Sequence, residues 1–228
     1  PYGTTACKWD SVLPFDKLWE QYERIIKPNG AIVLTANQPF TTDLINSNRK
    51  SFKYCWVWDK HIPRGFQTAK HKPMMKHEDV LVFGDGKINY YPIMTKRVKP
   101  VVVKNYSKKE NISSNDIGKY NDNTKSFSYA FRNPDTIITG CWEANAGKFH
   151  PTQKPVALFE YLIKTYTNEG ETVLDNCAGS GTTAIACLNT NRNYILMEKE
   201  DKYFEMIENR IAKWHSERGP QGLFKEAI

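Results

Sequence analysis

The sequence lacks several features that define whole classes of protein. Its apolar runs all stop well short of the ~18 residues that a membrane-spanning helix needs, and no signal-peptide pattern is visible. Its five cysteines are odd in number and show no C-x-x-C spacing, so we expect neither a disulfide framework nor a zinc site. No internal repeat is apparent. We therefore expect a cytoplasmic protein with free thiols and no metal.

Basic residues are in excess, and they are unevenly distributed. The 228-residue chain is 40% hydrophobic, enough for a folded core, and carries a formal net charge of +7. Residues 49–77 hold eight basic residues and one acid, and residues 86–140 hold ten and four. The last third of the chain is far less basic. This segregation indicates a phosphate-backbone partner, although a solvated basic face is the simpler alternative.

Hydrophobic periodicity predicts alternating helices and strands. Helices are predicted at 16–26, 41–46, 156–167, 182–188 and 201–214, and strands at 31–34, 52–58, 80–83, 136–138, 171–175 and 194–198. Residues 61–77 are predicted to form an irregular basic loop, and the pattern fades in residues 90–135. Such alternation is typical of an α/β fold, with a mostly parallel sheet and helices on both faces.

The most informative segment is a glycine turn between a strand and a helix. It reads Asp175-Asn176-Cys177-Ala178-Gly179-Ser180-Gly181-Thr182-Thr183. Gly179 and Gly181 let the backbone approach a ligand, but the third glycine of a dinucleotide fingerprint is missing, which disfavours NAD. Glu198 follows the next predicted strand, near the spacing at which an acid accepts hydrogen bonds from ribose hydroxyls. These features predict a nucleoside site.

Three segments in order carry a resemblance to a known family. They are Pro1-Tyr2-Gly3, then His150-Pro151-Thr152-Gln153-Lys154-Pro155, then the glycine turn. This order resembles that of the β-class amino-methyltransferases of DNA, of phage or restriction-modification type, which use S-adenosylmethionine (SAM). The family pattern begins D-P-P-Y or S-P-P-Y, and the polar residue that opens it is expected two positions before Pro1. The resemblance implies a Rossmann-like SAM-methyltransferase fold with an inserted target-recognition region.

The family's roles can be assigned to matching positions here. Tyr2 would stack on a flipped base and Pro1 would hold the turn rigid, as the catalytic pair. The cofactor-binding set implied by the resemblance is His150, Thr152, Gln153, Lys154, Asp175, Cys177, Ala178, Gly179, Ser180, Gly181, Thr182, Thr183 and Glu198. Within it, Lys154 would face the methionine carboxylate and Glu198 the ribose. The alternatives are an exposed Lys154, a Glu198 that caps the next helix, and a Cys177 that is merely a small buried residue.

The basic segments would bind double-stranded DNA. Arg64, Lys70, Lys72, Arg97 and Arg132 are the candidates, with arginine better suited to guanine edges and lysine to phosphates. The expected organisation is a catalytic half at 1–85, a target-recognition insertion at 86–140 and a SAM-binding half at 141–228, in circularly permuted order. Relatives of this class are often dimers, which makes a homodimer possible.

Several functions remain open at this point. The expected activity is methylation of the N6 amine of adenine in duplex DNA, and methylation of the N4 amine of cytosine is the close alternative. A catalytically inactive module that keeps the fold and binds DNA is a third reading, and an RNA substrate a fourth. A protein glutamine methyltransferase is disfavoured, because its glycine motif precedes its proline-proline-tyrosine motif.

Overall fold

The computed structural model describes residues 2–3, 11–104, 126–142 and 153–218. Five α-helices occur in this part of the chain: α1 (Phe15–Ile25), α2 (Phe40–Ser47), α3 (Val156–Tyr166), α4 (Thr182–Asn189) and α5 (Asp201–Arg218). Its strands are β1 (Ile32–Ala36), β2 (Phe52–Arg64), β3 (Met75–Phe83), β4 (Thr95–Lys104), β5 (Ser126–Arg132), β6 (Ile137–Ile138), β7 (Thr172–Asp175) and β8 (Asn193–Leu196). Within these residues no helix is both long and apolar enough to cross a membrane.

The larger sheet has four strands in the order β1-β3-β2-β6. β3 pairs antiparallel with both β1 and β2, and β6 pairs parallel with β2. Three strands therefore share one direction, and β3 runs against them. The α/β class agrees with the prediction, but two of the three strand pairs in this sheet are antiparallel, so the sheet is mixed and not mostly parallel as predicted. The reversed β3 was not predicted, because local periodicity does not reveal strand direction.

Alternation along β3 places helices on both faces of this sheet. Val80 and Val82 point to the face covered by α3, where they pack in one core with Trp56 and Leu158. Leu81 and Phe83 point to the other face and pack with residues of α1 and α2. All four of these β3 side chains are fully buried. Side chains of a strand alternate between faces, so one apolar run serves two cores.

A second, two-stranded sheet carries the glycine turn. β7 and β8 are parallel, with Asp175 opposite Leu196 at their carboxyl ends. α3 also packs against this part of the molecule, because its Ile163 joins a core with Ala186 and Cys187 of α4. α3 thus buries side chains in the cores of both sheets.

The chain divides into two compact units. One unit comprises Pro1–Tyr91 and Asp135–Ile228, and the other comprises Pro92–Pro134. In the smaller unit β4 and β5 form an antiparallel ribbon, with a register shift between Lys96 and Val101. This unit lies inside the predicted 86–140 insertion. The fading pattern yielded no strand prediction there, because pairing across the ribbon is a long-range interaction.

The basic segment 61–77 is also more regular than predicted. β2 continues to Arg64, which pairs with Met75, so the loop proper is residues 65–74 with a short 3-10 turn at Phe66–Thr68. The pairing is irregular between Asp59 and Arg64, where His61 has a φ of 64° and Pro63 has no N–H to donate. The irregularity lets the hairpin continue past Pro63, although a proline is expected to end a strand.

Candidate active site

The glycine turn leaves the carboxyl end of β7 and leads directly into α4. Gly179 and Gly181 have φ values of 53° and 76°, which L side chains rarely adopt. A Cβ on Gly181 would lie 2.9 Å from Cγ1 of Ile207 in α5, so this glycine allows close packing of α5 against the turn. Gly179 is partly exposed, and its backbone is the part of the turn that a ligand can approach.

Two carboxylates order this turn. Asp175 Oδ1 accepts a hydrogen bond from the Cys177 backbone N–H at 3.0 Å, and its Oδ2 accepts one from the Thr183 hydroxyl. Glu198 Oε2 accepts a hydrogen bond from the Gly179 N–H at 2.8 Å. Its Oε1 accepts one from the Glu200 N–H at 3.0 Å, next to the start of α5. Glu198 thus helps to order the helix start and also stands beside the glycine turn.

Burial changes the acidity of Asp175. Its removal from water raises the pKa of the Asp175 carboxyl, and the hydrogen bonds from Thr183 and Cys177 oppose that rise. A carboxylate in this position orders the loop from within.

The other predicted residues of the turn have distinct environments. Ala178, Ser180, Thr182 and Thr183 are buried, whereas Cys177 is exposed. The alternative of a buried, purely packing Cys177 is therefore wrong. The Ala178 N–H donates to the Met197 carbonyl at 3.1 Å, and Arg210 of α5 donates to the Ser180 carbonyl at 2.5 Å. Sequence reasoning did not identify Arg210 as a support of this loop.

The end of the hexapeptide contacts the same turn. Gln153 Oε1 accepts a hydrogen bond from the Ser180 hydroxyl at 3.1 Å. The backbone carbonyl of Lys154 accepts one from the Thr182 hydroxyl at 3.3 Å. Two segments that are more than 20 residues apart in the sequence therefore meet here. The predicted site residues Pro1, His150 and Thr152 lie outside the described residues.

Tyr2 lies on the other side of Lys154. The Tyr2 hydroxyl donates to Oγ1 of Thr35 in β1 at 2.5 Å, and the Tyr2 ring stacks on Phe40 with centroids 5.3 Å apart. The Lys154 ammonium lies over the Tyr2 ring, 5.5 Å from its centre. Burial raises the pKa of Tyr2, although the Lys154 charge opposes the rise. Lys154 therefore contacts the glycine turn through its backbone and Tyr2 through its side chain.

A buried glutamate neutralises Lys154. Oε2 of Glu78, in β3, lies 2.9 Å from Nζ of Lys154, at angles outside those of a well-formed hydrogen bond. Oε1 of Glu78 lies 3.1 Å from Nζ of Lys60 in β2. Burial tends to raise the pKa of Glu78, but the ammonium groups of Lys154 and Lys60 outweigh it, and the pKa is lowered. Burial likewise tends to lower the pKa of Lys154, yet Tyr2 and Glu78 raise it overall.

Sequence reasoning missed Glu78 and Lys60. The available signal was local: Glu78 and Asp79 stand directly before an apolar run, in a region dominated by lysine and arginine. The alternative of an exposed Lys154 is wrong, because only 14% of its side chain is accessible.

The basic candidates lie on the surface of each unit. In the larger unit Arg64, Lys70 and Lys72 are exposed on the β2–β3 loop and its margin. In the smaller unit Arg132 is exposed, while Arg97 is partly buried and its Nε donates to the Phe131 carbonyl at 3.3 Å. Among the residues that the structure describes, no group of three His, Cys, Asp or Glu side chains is arranged to hold a metal ion.

Comparisons with known proteins agree with this geometry. A family model described as DNA methylase, for N6 and N4 methyltransferases, matches residues 7–209. The type II methyltransferase M.HpaI of Haemophilus parainfluenzae is 27% identical over 216 residues, which are 92% of this chain. The chain spans 63% of the length of that relative.

Solved structures show the same fold. The crystal structure of the M1.HpyAVI-SAM complex has a TM-score of 0.60 and 24% identity, covering 92% of this chain and 84% of that one. The cytosine-N4-specific PvuII DNA methyltransferase has a TM-score of 0.57 and 15% identity, covering 86% and 70%. The match of the family model over most of the sequence shows that this chain belongs to the N6/N4 DNA methylase family.

Proposed function

We propose that this chain carries the catalytic core of a SAM-dependent DNA methyltransferase of restriction-modification type, which methylates the N6 amine of adenine in duplex DNA. Methylation of the N4 amine of cytosine is the alternative. One observation supports the proposal above the others: Lys154 contacts the glycine turn with its backbone and Tyr2 with its side chain. A cofactor site and a base site would therefore share a boundary.

The glycine turn suits a cofactor with a sugar and a charged tail. In parallel sheets, ligands bind beyond the carboxyl ends of the strands, where β7 and β8 present the turn and Glu198. The Glu198 carboxylate accepts one N–H on each oxygen and has further lone pairs for ribose hydroxyls. An ammonium has three N–H donors, so Lys154 can serve Glu78 and a methionine carboxylate together. When bound there, SAM supplies a methyl group activated by its sulfonium.

The target amine needs help of a different kind. Its lone pair is delocalised into the base, so hydrogen-bond acceptors must hold its protons while the nitrogen attacks the methyl carbon. With SAM bound, its methyl group would pass to the nitrogen with S-adenosylhomocysteine as the leaving group, and the nitrogen would lose a proton. Tyr2 would stack on the extruded base, and alignment of nitrogen, carbon and sulfur would supply much of the rate. Arg64, Lys70, Lys72, Arg97 and Arg132 would contact the duplex.

The decisive experiment identifies the methylated base. The protein in its full natural length is incubated with labelled SAM and a duplex of mixed sequence, and the nucleosides are separated by mass. N6-methyladenine is the expected product, and loss of transfer in Tyr2→Ala ties it to this site. N4-methylcytosine would establish the alternative. SAM binding without methyl transfer would favour an inactive DNA-binding module. A separate measurement of the protein's mass in solution tests whether it is a homodimer.

The cofactor site has a test that needs no DNA. Cys177 is exposed beside the turn, whereas Cys141 and Cys187 are buried. We expect S-adenosylhomocysteine to slow alkylation of Cys177 by about tenfold at ~10 times its dissociation constant, because a bound ligand covers the thiol. Peptide mass spectrometry measures each cysteine separately, so Cys55 serves as the internal control. Equal alkylation of Cys177 with and without the nucleoside would place the cofactor elsewhere.

A further inference from the structure

Three charged side chains with little exposure to solvent form a row of ion pairs next to Tyr2. Lys60, Glu78 and Lys154 have side chains only 16%, 10% and 14% accessible. Glu78 stands opposite Trp58 in the β2–β3 register, and Lys60 follows Trp58 by two residues on the same face. This is the face that carries Val80 and Val82 under α3. The register of the hairpin therefore sets Lys60 beside Glu78, and Lys154, just before α3, meets the same carboxylate.

Such an arrangement is not explained by stability alone. Removing charges from water is costly, and apolar side chains of similar size often stabilise a fold as well as a buried ion pair does. What the charges provide is a fixed position for the Lys154 ammonium. That ammonium lies 5.5 Å from the centre of the Tyr2 ring, and the Tyr2 hydroxyl donates to Thr35 in β1.

We propose that Glu78 is a positioning residue for Tyr2: it holds the Lys154 ammonium over the Tyr2 ring, and Lys60 holds Glu78 in turn. The role given to Tyr2 rests on the proposed function. A tyrosine ring is oriented by two side-chain torsions, and the hydrogen bond at its hydroxyl and the ammonium over its ring restrict both. Because stacking and in-line transfer depend on orientation, a loosened ring slows the reaction more than it weakens cofactor binding.

Glu78→Gln and Asp59→Asn form a matched pair of variants. Both replace a carboxylate with an amide on the β2–β3 hairpin, and both lose a lysine partner. Asp59 lies 3.5 Å from Lys76 in an exposed pair and has no contact with Lys154 or Tyr2 among the described interactions. An asparagine there keeps an acceptor for the His61 N–H. Lys60→Met is a milder third variant, since it preserves the pair of Glu78 with Lys154.

Two readouts separate positioning from simple support of the fold. The ring resonances of Tyr2, labelled with carbon-13 and assigned with Tyr2→Phe, report its environment without any activity. Single-turnover methylation and SAM affinity report the reaction. We expect Glu78→Gln to shift the Tyr2 resonances and slow transfer by about tenfold to a hundredfold, with SAM affinity within about threefold. Lys60→Met should change the same quantities less, and Asp59→Asn should match the wild type.

Unchanged Tyr2 resonances and an unchanged rate in a folded Glu78→Gln protein would overturn the proposal. So would a loss of SAM affinity alone, since that would assign Lys154 to the cofactor only. If Glu78→Gln fails to fold, Lys60→Met decides by the same criteria. If the wild type methylates no base, the proposed function fails, while the Tyr2 resonances still test the positioning.

Discussion

The two ends of the β2–β3 hairpin differ in almost every physical property. At the inner end Val80, Leu81, Val82 and Phe83 are fully buried and serve two cores. At the outer end every residue from 61 to 72 is exposed, including Arg64, Lys70 and Lys72. Glu78, the first buried residue of β3, and the half-buried Lys60 lie between these regions. One hairpin thus contributes to the core, to the candidate site and to the candidate DNA surface.

A phenylalanine at each end gives the largest contrast in stability. Phe83 is 0% exposed and its ring centroid lies 4.8 Å from that of Trp19, whereas Phe66 is 81% exposed. We expect Phe83→Ala to lower the free energy of unfolding by about 3–5 kcal/mol, through lost burial and a cavity. Phe66→Ala should change it by less than about 0.5 kcal/mol. Urea denaturation measures both, and similar losses in the two variants would contradict the contrast.

The middle of the hairpin can be tested by the pH dependence of stability, through Glu78. Its pKa is lowered from 4.5 because the Lys154 and Lys60 charges outweigh the effect of burial. The carboxylate therefore stabilises the folded state above pH 4.5, and this contribution is lost as the pH falls through the folded pKa. We expect Glu78→Gln to cost about 3 kcal/mol at neutral pH. Its free energy of unfolding should also fall less steeply in acid than that of the wild type.

Asp59→Asn is the control for that measurement. The hydrogen bond from the His61 N–H and the nearby Lys76 lower the pKa of Asp59 as well, but Asp59 and Lys76 are 30% and 54% accessible, far more than Glu78 and Lys154. Salt at ~1 M reduces the screening length to ~3 Å and should weaken the exposed pair, leaving the buried one. If the free energies of unfolding of Glu78→Gln and wild type changed in parallel with pH, the charge of Glu78 would not contribute to stability.

Local patterns predicted the elements well, because burial of one helix face or strand leaves a periodic trace. The predicted helix at 156–167 corresponds to α3, and the predicted strand at 80–83 is the inner half of β3. The motif order also predicted that Tyr2, Lys154 and the glycine turn belong together. Contacts between Lys154, Tyr2 and Thr182 agree with that hypothesis.

Long-range pairing left no comparable trace. The outer half of the hairpin contains Pro63 and a polar composition, so its strands were not predicted. Lys60 and Glu78 are 18 residues apart, and only the register of β2 with β3 sets them together. The direction of β3 could not be predicted for the same reason, because strand pairing depends on contacts across the whole sheet.

Substitutions at the outer end of the hairpin should weaken DNA binding without changing the stability of the fold. They therefore have the smallest expected effect on folding and give the sharpest test of the difference between the two ends. Lys70 and Lys72 are exposed, and no ion pair is recorded for either among the described residues. Replacing each with glutamine should leave the free energy of unfolding within about 0.5 kcal/mol. If both contact phosphates, each replacement releases one fewer counterion, and the slope of log affinity against log salt should fall by about one unit per lysine. Lys17→Gln, at an exposed side chain of α1, is the control and should keep the wild-type slope. An unchanged slope in the double variant would remove this loop from the DNA interface and leave the β4–β5 ribbon as the remaining candidate.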